Sequence, residues 1–193
     1  MAIQETLAKF NWIDLLALLL LLRTCSVGLR SGLIIGLFKI VGWIVSLLVS
    51  LHYFSEAGRY LVRLIPPFGA DFSNFACYII LSMLAYIAIA FFRQAILRLV
   101  KPEATSAVDR WGGLFLGFFV GIMLLSAVFI GFHLSGITYV KESLKRSGTG
   151  TAIAYTNVKA YEGIVNGIVS KFSPDTTVNQ DIYSAFESPA LEE

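Results

Sequence analysis

Charge is what this sequence has least of. Of 193 residues, 13 are acidic and 15 are basic, so 15% carry charge where an ordinary soluble domain carries about 25%. That leaves too little polar surface to cover a water-soluble fold. The net charge of +2 is too small for a nucleic-acid binder, and no nucleic-acid partner is expected. The 2 cysteines, Cys25 and Cys77, sit in or beside apolar stretches without CxxC or Cys/His spacing. This argues against a disulfide framework and leaves them as small buried hydrophobes. The 2 histidines, His52 and His133, stand singly near the ends of apolar runs, without the paired spacing of a metal site. There is no nucleotide-binding loop and no nucleophile with a base at useful spacing. No enzyme activity, catalytic residue, metal or cofactor is therefore expected.

What is abundant is apolar: 56% of the chain is hydrophobic and the mean hydropathy is +0.74. Four runs stand out. The first covers residues 12–22 and reaches 27 if Arg23 is tolerated near its end; the second covers 32–51, with Lys39 as its charge. The third, 72–92, is uncharged, and so is the fourth, 111–140, which is longer than one crossing needs and must tilt, bend or emerge early. In lipid every backbone group must be paired within its own segment, so the runs must be helices. The expected fold is all-α: an integral membrane protein with about four transmembrane helices in two hairpins plus a C-terminal amphipathic helix.

The expected organisation is a four-helix membrane domain over 1–140, a polar linker and amphipathic helix over 141–172, and a disordered tail over 173–193. Lys9 is balanced by Glu5 and no A-x-A site follows the first run, which is read as an uncleaved helix. Residues 23–31 read as a short basic turn. Residues 55–71 read as a longer loop containing Pro66 and Pro67, and 93–110 as a helical extension that Pro102 ends. Tyr161, Ile164, Val165, Ile168 and Phe172 recur at helical spacing, giving an apolar face that rests on the membrane or on the bundle. The polar stretch beyond 173 reads as disordered.

Glycine adds a pattern. Gly28, Gly32 and Gly36 fall every fourth residue, and so do Gly113, Gly117 and Gly121. Each glycine in a helix interior costs roughly 1 kcal/mol against alanine. Membrane helices have no hydrophobic drive to associate, and smooth strips of small residues let their backbones approach closely. Gly42, Ser46 and Ser50 continue the spacing in the second helix. The words GLIIGLF (32–38) and GLFLGFF (113–119) match, each after an arginine, Arg30 or Arg110, which indicates duplication of a helical hairpin.

The charges near these runs have two readings each. Asp14 either caps the start of the first helix or acts as a bundle-facing carboxylate that pairs with a base or relays a proton. Arg23 and Arg30 either anchor to phosphate headgroups or pair with Asp109 across the connectors. Arg110, beside Asp109, is expected to cap the fourth helix and lock the second hairpin. Lys39 either snorkels or lines a pore.

Several of these residues stand in an order that resembles a known family. Asn11-Trp12-Ile13-Asp14 open the first helix, a Gly/Arg-rich turn occupies 28–32, and Gly42-Trp43 follow in the second. Asp109-Arg110-Trp111-Gly112-Gly113 then precede a glycine-spaced final helix. Over roughly residues 10–140 the chain resembles the colicin V production protein family (CvpA family). The resemblance implies a multi-pass protein of the bacterial inner (cytoplasmic) membrane. It also implies a role in production or export of colicin V, a peptide toxin, and in envelope homeostasis, with no catalytic mechanism. The expected protein packs through its glycine faces into homo-oligomers or onto other membrane proteins within the lipid bilayer. The alternative is a small oligomeric transporter or channel whose pore several subunits build, because four helices leave little room for a water path.

Basic residues bear on orientation. The connectors hold Arg23, Arg30, Arg93, Arg98, Lys101 and Arg110, against Lys9, Arg59 and Arg63, joined by Lys141, Lys145 and Arg146 if the near tail is counted. The connectors are expected in the cytoplasm and both termini outside. A fluorescent reporter inserted in the 93–110 connector should then glow, and alkaline phosphatase fused after residue 193 should be active. The opposite pair of signals refutes this orientation.

Overall fold

The computed structural model describes residues 11–65, 67, 69–99, 107–147, 149–173 and 176–183. Lys9, Pro66, Lys101, Pro102 and the end of the tail, 184–193, lie outside the described residues. Regular structure among the described residues is entirely helical. It comprises α1 (Trp12–Leu64), α2 (Ala70–Leu99), α3 (Ala107–Leu134), α4 (Thr138–Arg146) and α5 (Gly150–Ile164). A π-helical stretch (Val165–Val169) and the short α6 (Ser170–Phe172) follow.

Three helices, α1 to α3, are long and apolar enough to cross a membrane. Leu15, Leu18 and Leu19 of α1, Met83, Leu84 and Phe91 of α2 and Phe115 of α3 are exposed. A face of this kind suits lipid and not water.

α1 merges the first two apolar runs. It opens with a capping box in which Asn11 and Asp14 serve each other's backbone amides. Inside it one residue leaves helical geometry: Gly32, at φ 77 and ψ 176. Residues 23–31 are helical and not the turn their composition indicates. The positive φ, open to glycine at no steric cost, does the work of a connector in one residue.

Contacts with α3 give the sense of each segment. Gly113 meets Gly28 and Gly32, Gly117 meets Thr24 and Gly28, and Gly121 meets Leu21 and Thr24. Leu125 and Phe129 then share a core cluster with Ala17 and Ile13. Segment 12–31 therefore runs antiparallel to α3. Beyond the break Leu33 faces Gly112 and Gly36 faces Leu116, while Leu47 and Leu51 cluster with Ile130 and Leu134. Segment 33–64 therefore runs parallel to α3, and the two repeated glycine words lie side by side in the same sense.

α2 packs antiparallel on 33–64 through a second row of small residues. Gly42 lies against Tyr86 and Ile89, the Ser46 hydroxyl donates to the Ser82 carbonyl at 2.8 Å, and Gly58 lies against Asn74. The Trp43 and Tyr86 rings stand 5.1 Å apart. Because this pairing continues past residue 55, α1 runs to Leu64 and α2 starts at Ala70. The loop read at 55–71 shrinks to 65–69.

The C-terminal third is more ordered than its composition indicates. The fourth apolar run ends at Leu134, and Gly136, at φ 71, turns the chain into α4. That helix occupies the expected polar linker, with Leu144 fully buried among Ile13, Phe129 and Ala154. α5 buries Gly150, Ala154, Asn157, Val158 and Tyr161. The amphipathic helix thus rests on the bundle, although Ile168 and Phe172, from the expected apolar face, are exposed. Residues 176–183 are not a disordered tail: Val178 and Ile182 enter the cluster that holds Leu51, Phe54 and Tyr161. These two apolar anchors stand four residues apart.

Leu144→Ala should cost about 2–5 kcal/mol, as cavity-forming core substitutions do. The thermal midpoint in detergent should fall accordingly. An unchanged midpoint means that 138–146 is a solvated linker after all.

Candidate functional site

The centre of the bundle is a contact between backbones. A Cβ placed on Gly117 would stand 2.7 Å from the Thr24 carbonyl oxygen and 3.1 Å from the Gly28 Cα. One on Gly28 would stand 2.9 Å from the Gly117 Cα, and one on Gly113 would stand 3.0 Å from the Gly32 Cα. At Gly36 and Gly121 the nearest obstacles include side chains, Leu116 Cδ1 and Leu21 Cδ2, each at 2.9 Å. Spacing alone points to a second chain against these strips; in the structure each strip covers the other. Any assembly with another protein must use other surfaces.

The break lies at one end of this seam. Segment 33–64 restarts there with amide groups that have no partner in their own helix. The Leu33 N–H donates to Asp109 Oδ1 at 2.8 Å. Asp109 belongs to the first turn of α3, where its charge also suits that helix's own dipole. One carboxylate thus serves two helix starts. It also fills the space beside Gly32, where a Cβ would stand 2.8 Å from the Asp109 Cγ.

Two arginines of this end are exposed. Arg30 and Arg110 line a cleft of about 600 Å³ with Asp109, Ser26 and Leu29. Arg23 is exposed too, but it lies nine residues, about 14 Å, before the break, near the middle of segment 12–31. Lys39 reaches back to donate to the Ser31 hydroxyl at 2.8 Å, which brings its charge to the break end.

Asp14 sits at the opposite end. Its Oδ2 accepts the Asn11 N–H at 3.0 Å, and its Oδ1 accepts the Ser147 and Thr149 hydroxyls at 2.6 Å each. It therefore fastens the α4–α5 connection to the start of α1. Nearby, buried Ser126 donates to the Ala154 carbonyl, and buried Asn157 donates to the Met123 carbonyl. These bonds tie α5 to α3.

A third group closes this end. The Asn179 side chain donates to the carbonyls of Leu51 and His52 and to the Ser55 hydroxyl, each at 3.1 Å. Its backbone N–H donates to the Tyr161 hydroxyl at 3.2 Å. Burial pushes the Tyr161 phenol up, and its hydroxyl shares a hydrogen bond of 2.9 Å with His52 Nδ1.

Beside this group lies a cleft of about 570 Å³ between the end of α1, the start of α2 and the end of α3. Arg59, Arg63, Lys141, His133, Asp71 and Asp181 are among its walls. Arg59 pairs with Asp181 at 3.4 Å, with side chains 62% and 49% exposed. A pair so open to water contributes at most about 1 kcal/mol. Among the described residues no three His, Cys, Asp or Glu side chains gather as a metal would require.

Residues 13–158 match a known family, described as Colicin V production protein. The chain belongs to this family. Its membership and its apolar helices make it a multi-pass membrane protein of the colicin V production family. No curated protein and no solved structure matches the chain. The family stretch contains both glycine strips, the break, Asp14, Arg23, Arg30, Asp109 and Arg110. Asn179 and Asp181 lie beyond it.

Sequence reasoning named His52, Tyr161, Arg59 and Arg63 without bringing them together, and it missed Asn179. A lone histidine and a lone tyrosine 109 positions apart carry no spacing signal. Arg59 and Arg63 do carry one: they lie four apart, on one face of a helix.

Gly113→Ala should destabilise the protein by about 1–3 kcal/mol, the usual range for overpacking. Gly163, with nothing within 4 Å of an added Cβ, provides the contrast. Gly163→Ala should be neutral or stabilise by up to about 1 kcal/mol. Equal thermal midpoints for the two variants would remove the seam as a structural determinant.

Proposed function

We propose that this chain is a bacterial inner-membrane protein required for colicin V production or export and for envelope homeostasis, and that it acts as a cross-braced helical framework and not as a catalyst. The observation that carries this reading is the capped break at Gly32. It supports four membrane crossings, because the segments of α1 run in opposite senses along α3. Segment 12–31 is about 30 Å long, which equals the hydrocarbon thickness, and segment 33–64, at about 48 Å, exceeds it. The second segment crosses and its last turns project.

The framework reading rests on where the small residues go. Both strips are consumed in bracing α1 against α3, and the outer face of α2, with Met83, Leu84, Phe91 and Phe92, stays apolar and exposed. That face meets lipid or a neighbouring membrane protein, a second copy included.

In colicin V-producing cells that lack the chain, the unaltered protein should restore toxin release. Gly113→Leu should fail to restore it, and Asp109→Ala should restore it only in part, since it leaves the Leu33 amide without its cap. Full restoration by Gly113→Leu would show that the braced geometry is irrelevant to the role.

A further inference from the structure

The 570 Å³ cleft at the tail end has a chemistry that the packing role does not use. Its walls come from helix ends: the last turns of α1, the first of α2, the last of α3 and the first of α4. Cations dominate it. Arg59, Arg63 and Lys141 face two carboxylates, Asp71 and Asp181. Asp71 belongs to the first turn of α2, where the helix dipole already favours it, and it packs against the turn at Gly136. Among the described residues neither Arg63 nor Lys141 makes an ion pair. The Arg63 guanidinium stands 5.8 Å from the centre of the Tyr60 ring, which orients it.

Two further observations say what such a cleft takes. Next to the lining residues Arg59 and Asp71 in the sequence are Tyr60 and Phe72, and Tyr139 lies two positions before Lys141; they are exposed by 66%, 49% and 68%. Exposed tyrosines near a cationic cleft at the ends of membrane helices mark the headgroup level of a bilayer. The second is Asp181 itself, a carboxylate brought by residues 176–183 onto Arg59 through a solvent-exposed bond. A pair so exposed is weak, so an arriving phosphate competes with that carboxylate for Arg59 at little cost.

We propose that this cleft binds the phosphate headgroup of an anionic phospholipid through Arg59, Arg63 and Lys141, and that Asp181 is its built-in competitor. Occupation by lipid frees Asp181 and loosens residues 176–183 from the end of the bundle. The seat is thus coupled to the Asn179 fastening three bonds deep.

The test is native mass spectrometry of the full chain released from nanodiscs containing phosphatidylglycerol and phosphatidylcholine. The chain should retain phosphatidylglycerol preferentially. Arg63→Gln with Lys141→Gln should reduce that preference at least about fivefold, the effect of roughly one good charge contact. Lys141→Gln alone, with circular dichroism as the check on folding, serves if the double variant does not fold. Asp181→Asn should strengthen retention about three- to fivefold, as removal of one exposed ion pair allows. Asp181→Glu, which keeps the charge, should behave as the unaltered chain. Equal retention of both lipids, or indifference to Asp181→Asn, overturns the proposal. Displacement of the lipid by inorganic phosphate at millimolar concentration would overturn the lipid assignment in favour of a soluble phosphate.

Discussion

A helix that restarts next to an apolar phase presents amide groups that neither water nor its own backbone satisfies, and something must accept from them. Here the acceptor is a carboxylate from another helix: Asp109 of α3 takes the Leu33 amide. The break at Gly32 is therefore not a property of α1 alone. It needs α3 alongside, and α3 comes close enough only because Gly28, Gly113 and Gly117 have no side chains to hold the backbones apart. Cap and seam require each other, and the opposite senses of the two segments of α1 follow from both.

From that joint the bundle divides into two ends of different character. The break end is basic and exposed, with Arg30 and Arg110 outside and Lys39 reaching towards it. The other end is dense in hydrogen bonds, from the Asp14 carboxylate through Ser147 and Thr149 to the His52, Tyr161 and Asn179 group. Between them the contacts are almost wholly apolar, so register comes from shape. A glycine row accepts a facing backbone only where that backbone is also bare.

Much of this was legible in the residues, for physical reasons that can be stated. Long uncharged stretches have one stable form in lipid, so the helices and the family resemblance could be read directly. Glycine spacing announced a smooth face but not its occupant, because a strip has the same chemistry whether its neighbour is a second chain or a distant part of its own. Asp14 could be read as a cap because its partner Asn11 is three residues away. Asp109 could not be read as the cap of Leu33, since its partner is 76 positions distant. The helix at 138–146 and the packed stretch at 176–183 escaped notice because each has few apolar anchors, chiefly Leu144 in one and Val178 and Ile182 in the other. Their order comes from the surface they meet and not from composition.

The fastening of Asn179 has a consequence for how the molecule is made. The carbonyls it holds belong to Leu51 and His52, about 128 positions earlier, and it is among the last described residues of the chain. Chains emerge from the ribosome amino end first, and domains assemble in that order. The membrane helices are therefore synthesised, inserted and braced while the pieces that seal one end of them are still unmade. Until residues 176–183 are released, the Tyr161 hydroxyl and the His52 carbonyl lack the Asn179 donor and the groove for Ile182 stands open. The molecule passes through a stage in its own biogenesis when a chaperone, an insertase or a neighbouring chain has access to an apolar groove that the finished protein conceals.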